Sequence, residues 1–329
     1  MKYIAFTVKG LESIASQEIQ SKLTGVSIMD QGPKRIIFET EDNVNLNKLR
    51  TIDDIGFFLG SKKITNVESI INLLKSIDLS KVKPANGFSL TLSFASAGFI
   101  DKDLLIKALV RLIKDHYGWE YLERDHTQFD LRLFLDKEKL FSSVRLTEKP
   151  LFHRVYRKIS IKGALRPTIA AAMILWASGG KAGLTVVDNF CGSGTILAEA
   201  LLADNWVFGG DIADEAIIAA KQNVPNGKIY KLNALKTNWP NDRFDLAVSN
   251  LPWNKQVRID SVTQLYQGTL KEYQRIVKPE GVICLLVGKP ELLIKLAKQT
   301  FADPQIQMIK LGYLGQNPTI VKIFRKKRG

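Results

Sequence analysis

The chain has 329 residues, of which 45% are hydrophobic and 24% charged, and a formal net charge of +14. That length exceeds what a single hydrophobic core usually fills, so two or three domains are expected. No apolar run reaches the roughly 18 residues of a membrane span, and Glu12 interrupts the N-terminal segment too early for a secretory core; a cytoplasmic protein with no membrane partner is expected. Two cysteines, Cys191 and Cys284, and the scattered His116, His126 and His153 supply neither a disulfide framework nor a metal cluster.

The first 60 residues read as a small α+β unit: a strand at 2–8, an amphipathic helix at 11–23, a second strand, a turn at Gly32-Pro33, a strand at 35–39 and a short helix. A second α+β unit over 61–150 follows, with helices at 68–77 and 101–117 and strands at 88–94, 129–135 and 140–146. Residues 151–165 read as a basic linker. From Arg166 to the end the pattern becomes a regular alternation of helices (166–177, 195–202, 215–222, 263–277, 291–299) with short apolar strands (184–188, 206–211, 228–232, 244–249, 282–287). Such alternation predicts an α/β domain with a doubly wound, mostly parallel sheet, and the last two strands, 305–311 and 320–324, predict an antiparallel hairpin at its end.

Charge is unevenly shared between these parts. Of the 47 Lys and Arg, 22 fall in residues 1–150 and 25 beyond; of the 33 Asp and Glu, 20 and 13, so nearly all the excess lies in the second part. Between Glu148 and Asp188 there is no acid, while Arg154, Arg157, Lys158 and Lys162 are interleaved with Phe152 and Tyr156. Clustered cations with aromatics predict a polyanionic partner, because Lys and Arg neutralise phosphates and release their counterions.

Within the alternating half, the stretch Val187-Asp-Asn-Phe-Cys-Gly-Ser-Gly-Thr195 ends one strand and opens a helix. In a doubly wound sheet this turn approaches a ligand most closely, and Gly192 and Gly194 permit that approach. A dinucleotide site would place a third glycine where Leu197 stands, which argues against a pyrophosphate. Asp211, 23 residues after Asp188 and at the end of the next strand, suits the two hydroxyls of a ribose. A ribose without a pyrophosphate points to S-adenosylmethionine. Cys191 lies in this turn and is read as packing rather than as a nucleophile.

A second constellation, Asn250-Leu251-Pro252-Trp253, closes a later strand. An exocyclic amine on a flat base is a poor nucleophile because its lone pair is delocalised into the ring. If the Asn250 oxygen and the Leu251 carbonyl accept its N–H groups while Trp253 stacks the ring, the lone pair is aimed at the methyl donor.

The run Asp188-Asn-Phe-Cys-Gly-Ser-Gly-Thr195 resembles the first motif of class I methyltransferases that act on RNA, and Asn250-Leu-Pro-Trp253 resembles the [DN]-P-P-[YFW] motif of amino-group methyltransferases. Leu151-Phe-His-Arg-Val-Tyr-Arg157 is similar to the segment that follows the THUMP domain in tRNA guanine-N2 methyltransferases of the TrmN type. The resemblance implies a ferredoxin-like unit over 1–60, a THUMP RNA-binding domain over 61–150 and a Rossmann-like methyltransferase domain over 166–329 with a seven-stranded sheet. It implies S-adenosylmethionine held by Asp188, Phe190, Cys191, Gly192, Gly194, Thr195, Asp211, Ile212, Asn233, Ala234 and Asn250, with Pro167 and Thr168 near its methionine end. It further implies a target amine held by Asn250 to Trp253, RNA contacts from Arg154, Arg157, Lys158, Lys162 and Lys255, and a monomer acting near the tRNA acceptor stem. The sequence departs from the family pattern at Asn189 and Leu251, where prolines are usual, and at Asn233, where an acid is usual; an asparagine oxygen still accepts a hydrogen bond. A non-catalytic RNA-binding protein that keeps the cofactor fold, or an amino methyltransferase of other targets such as adenine-N6 in rRNA, snRNA or DNA, are the competing readings.

Overall fold

The computed structural model describes residues 1–41, 48–64, 69–70, 72, 87–95, 101–123, 129–252, 262–313, 315 and 317–326. The chain divides into two compact units, one of residues 1–7 and 16–151 and one of residues 8–15 and 152–329. No described helix is long and apolar enough to cross a membrane.

The first unit is built on one seven-stranded sheet in the order β2-β3-β1-β4-β7-β6-β5, with β1 at Lys2–Phe6, β2 at Ser27–Gly32, β3 at Arg35–Glu39, β4 at Asp54–Lys63, β5 at Ser89–Phe94, β6 at Asp130–Asp136 and β7 at Lys139–Arg145. All neighbours are antiparallel except β5 and β6. Helix α1 spans Glu12–Lys22 and α2 spans Lys102–Tyr117. Asp101 caps α2, its carboxylate accepting the Asp103 and Leu104 N–H groups at 3.0 and 3.1 Å, and Gly118 ends it with φ +67°. Leu105, Leu109 and Ile113, one turn apart, put its apolar stripe into the core.

Strand β4 was not among the expected elements, and the expected division between residues 60 and 61 falls inside it. One sheet therefore runs through both segments expected as separate units. Asp54 is buried and accepts from Arg132 Nη2 at 2.8 Å and Arg145 Nε at 3.1 Å. Those arginines also hold the buried Asp130, at 3.1 and 3.2 Å, so two carboxylates and two guanidinium groups neutralise each other across β4, β6 and β7. The helix expected at 68–77 lies mostly outside the described residues.

The second unit carries the predicted doubly wound sheet. Its order is β10-β9-β8-β11-β12-β14-β13, from β8 (Thr185–Asp188), β9 (Trp206–Asp211), β10 (Lys228–Lys231), β11 (Phe244–Asn250), β12 (Val277–Val287), β13 (Gln305–Lys310) and β14 (Thr319–Phe324). β8 to β12 are parallel; β14 is antiparallel to both β12 and β13, the hairpin the sequence predicts. Helices α3 (Pro167–Ser178), α4 (Thr195–Leu201) and α5 (Asp214–Asn223) join Val186, Leu246 and Val248 in one core, and α6 (Val262–Ile276) and α7 (Pro290–Thr300) join Val187, Ala247 and Ile283 in the other. Successive strand residues enter opposite cores, as the two-residue repeat of a strand with both faces buried requires. Val8, Leu11 and Ile14 belong to the first of these cores. Residues 152–165, expected as a linker, are built into this unit.

Candidate active site

Strand order reverses between β8 and β11, and the carboxyl ends of these neighbours carry Asp188 and Asn250. A crevice at such a reversal is where doubly wound sheets receive ligands. The turn after β8 is held by its own backbone: Cys191 N–H donates to Gly210 O at 3.0 Å and Gly194 N–H to Cys191 O at 2.7 Å. Gly192 and Gly194 have φ of +51° and +81°. A Cβ on Gly194 would lie 2.9 Å from Val224 Cγ2, whereas one on Gly192 would meet Ile161 Cδ1 at 3.8 Å and no other described atom within 4 Å. The first glycine thus leaves room above the backbone, and the second lets α4 pack. Leu197, at the position of a third glycine, is fully buried in the core.

Asp211 is half-buried at the end of β9, one oxygen accepting Gly192 N–H at 3.0 Å and the other Ala213 N–H at 3.1 Å. Each oxygen keeps a further acceptor position. Ile212 beside it is 69% exposed. Beyond β10, Asn233 is exposed with its Oδ1 accepting Leu235 N–H at 3.0 Å, and Ala234 is buried. Phe190 packs half-buried against the α6 core, Thr195 opens α4, and Pro167 and Thr168 open α3 with both side chains buried. Leu251 is buried and donates its N–H to Leu286 O at 3.1 Å, while Asn250 and Pro252 are half-buried. Trp253 and Lys255 lie outside the described residues. The other residues predicted to hold a cofactor thus sit in the turns beyond the carboxyl ends of β8 to β11 or at the start of α3.

Asp188 is buried under this turn. Its Oδ1 accepts Phe190 N–H at 3.0 Å and the Ser249 hydroxyl at 2.6 Å. Burial pushes its carboxyl up to about 7, and the nearby Asp211 charge adds to the rise, against the lowering effect of the two hydrogen bonds. Ser249 also meets the Tyr273 phenol of α6 at 2.6 Å, and Tyr273 accepts Asn189 N–H at 3.2 Å. Trp239 Nε1 donates to Asn189 Oδ1 at 3.0 Å, so the asparagine that replaces a proline has a structural partner. Asn189 Nδ2 and Ser193 Oγ are buried without a hydrogen-bond partner among the described residues.

The basic segment is anchored at two buried points that sequence reasoning missed. Glu199 of α4 accepts from Arg154 Nε at 3.1 Å and from the Tyr156 hydroxyl at 2.7 Å. Asn223, closing α5, accepts Lys158 N–H at 2.8 Å and Ile159 N–H at 3.0 Å and donates to Ile159 O at 2.7 Å and Ser193 O at 2.8 Å. Arg154 therefore directs its charge to Glu199, and Arg157 reaches Leu165 O at 3.4 Å; Lys158 and Lys162 are the exposed cations of the segment. The available signal for Glu199 was a charge inside an otherwise apolar helical run, TILAEAL; Asn223, the last residue of DEAIIAAKQN, carried no such local signal. Among the described residues no His, Cys, Asp and Glu are grouped to hold a metal.

Comparison with known proteins agrees with this geometry. Residues 154–315 match the UPF0020 family, described as RMKL-like, methyltransferase domain. The chain is 28% identical over 190 residues to the human U6 snRNA (guanine-N(2))-methyltransferase THUMPD2, covering 54% of this chain and 35% of that protein. It is 28% identical over 191 residues to the tRNA (guanine(6)-N2)-methyltransferase of Thermus thermophilus, covering 55% and 56%. The chain thus spans from about a third to just over half of the length of these curated relatives. The crystal structure of TrmN from Thermus thermophilus shares the fold with a TM-score of 0.81 at 20% identity, over 98% of this chain and 99% of that one.

Proposed function

We propose that this chain, whose residues 154–315 match the UPF0020 methyltransferase-domain family, methylates the 2-amino group of a guanosine in RNA with S-adenosylmethionine. The observation that carries this reading is the placement of Asn250 beside the glycine turn at the strand reversal, where an amine acceptor and a cofactor loop meet. The names of the human and Thermus relatives, both guanine-N2 methyltransferases of RNA, support it.

The residues present fit the cofactor. The open space over Gly192 admits a ligand close to the backbone, and the free acceptor positions of Asp211 suit a ribose diol. Bound there, S-adenosylmethionine supplies a methyl group on a positively charged sulfur. Ile212 offers an apolar face for the adenine, and Asn233 and Ala234 form its edge. The Asn250 oxygen and the Leu251 carbonyl accept the two N–H groups of the target amine, which turns its lone pair toward the methyl group. Trp253 stacks the base, and the surplus proton leaves to solvent. Because the amine needs orientation rather than deprotonation before attack, no basic side chain is required.

Lys158 and Lys162 serve the phosphate backbone from a segment that Arg154 and Arg157 shape, and Lys255 is read as a further phosphate contact. We read residues 1–60 and 61–150 as ferredoxin-like and THUMP parts sharing one sheet, and a tRNA acceptor region as the target. The test is Asn250→Ala. Losing one preorganised polar group should slow single-turnover methyl transfer about a hundredfold, with RNA affinity nearly unchanged. A normal rate would reduce Asn250-Leu-Pro-Trp253 to a strand-ending turn and sink the proposal.

A further inference from the structure

The contacts around Asp188 have a direction. A backbone N–H can only donate and an ionised carboxylate can only accept. When Asp188 is ionised, the one hydroxyl proton of Ser249 points to its Oδ1 at 2.6 Å. In the 2.6 Å contact between Ser249 and Tyr273 the phenol is therefore the donor. Tyr273 in turn receives Asn189 N–H at 3.2 Å. The chain runs one way, from Asn189 N–H through Tyr273 and Ser249 to the Asp188 carboxylate, and each hydroxyl on it both gives and accepts. It begins in the cofactor turn and ends on the strand residue just before it, and its third member, Ser249, is the residue before Asn250.

We infer that Tyr273 is a positioning residue for methyl transfer, which acts through Ser249 to hold Asn250 at a fixed place relative to the cofactor turn. Ser249 and Asn250 are consecutive in β11, so their side chains leave opposite faces of the strand. Fixing the buried Ser249 from the α6 side fixes the backbone from which Asn250 departs on the other. Tyr273 is fully buried in the α6 core, where its hydroxyl meets Asn189 N–H and Ser249. The inference rests on the reading of Asn250 as the group that orients the amine.

A double-mutant cycle between Tyr273→Phe and Asn250→Ala tests it in the full chain. The readout is single-turnover transfer of labelled methyl from saturating S-adenosylmethionine to small RNA from cells lacking the gene. Tyr273→Phe keeps the ring and its packing and removes the hydroxyl. With Asn250 present it should slow transfer about tenfold or more, as misplacement of a positioned group does. With Asn250→Ala it should slow transfer less than about twofold further, because the two residues act as one unit. The same factor in both backgrounds, or no effect in the first, overturns the inference. Ser249→Ala should repeat the pattern and serves in its place should Tyr273→Phe lose its cooperative melt. If Asn250→Ala alone transfers normally, the reading of the active site fails; if it is slow but additive with Tyr273→Phe, the positioning role alone fails.

Discussion

At the scale of single residues, two carboxylates near the cofactor turn carry predictions of different kinds. Asp188 is buried and its carboxyl is pushed up to about 7, first by burial. Its unfolded value is near the ordinary 3.8. Between those two values the folded protein retains a proton that the unfolded chain has released, so stability is greatest at low pH in this window and falls as pH rises through 7. The whole effect is about 4 kcal/mol at about 1.4 kcal/mol for each unit. Asp188→Asn can still accept from Phe190 and Ser249. It should therefore flatten the decline in melting temperature expected of the unmodified protein between about pH 4 and 7; an equal decline in both would mean that Asp188 is not the titrating group. Asp211, half-buried, accepts Gly192 N–H and Ala213 N–H and is proposed to hold the ribose. Asp211→Ala should weaken S-adenosylhomocysteine about tenfold or more by calorimetry, since hydrogen bonds to a charged group contribute about 1.5–3 kcal/mol each. Unchanged affinity would remove the ribose assignment. The glycines and both aspartates were legible as a site because their positions at strand ends are local. Tyr273, Trp239 and Glu199 were not, since each reaches its partner from 43 to 84 residues away.

At the scale of elements, the segment from Phe152 to Arg166 changes most from its sequence reading. Its cations suggest a solvated linker, but Asn223 ties its backbone at three points and ties Ser193 of the cofactor turn at a fourth. Phe152 lies under the Arg166 guanidinium at 4.0 Å and closes the segment on itself. Asn223→Ala would leave these buried groups without partners, at a cost of about 1–3 kcal/mol for each one that water cannot reach. Denaturant titration should show a loss of about that size, larger than a surface helix-end asparagine would give, and a loss under 0.5 kcal/mol, the surface range, would mean that the segment is not anchored there. Strand β4 shows the opposite failure. Gly56, Gly60 and the acidic pair before them blur its alternation, while the reason for the strand lies in arginines on β6 and β7 that balance Asp54. A carboxylate's partner on a distant strand leaves no mark in its own local sequence.

At the scale of the whole molecule, the division of the chain differs from its linear order. Residues 8–15 belong to the unit that otherwise begins at 152, and Leu11 is fully buried in its core. Leu11→Ala should therefore destabilise that second unit by about 2–5 kcal/mol, as large-to-small core changes do. Its melting, followed by calorimetry with and without S-adenosylhomocysteine, should shift while the second motif stays intact; an unshifted transition would show that Leu11 contributes nothing to that core. The alternation of strands and helices after Arg166, the glycine turn, Asp211 and the Asn-Leu-Pro-Trp run were all readable along the chain, because periodicity and turn chemistry act over a few residues. They were enough to identify the parallel sheet and its ligand-facing turn, while the place where its strand order reverses came from the fold. The unification of residues 1–60 and 61–150 in one sheet, the return of residues 8–15 to the second core, and the directed chain from Asn189 to Asp188 depended on folding. Each joins groups far apart in sequence, and burial alone makes such pairings obligatory, since a polar group taken out of water must find its partner wherever the fold has placed one.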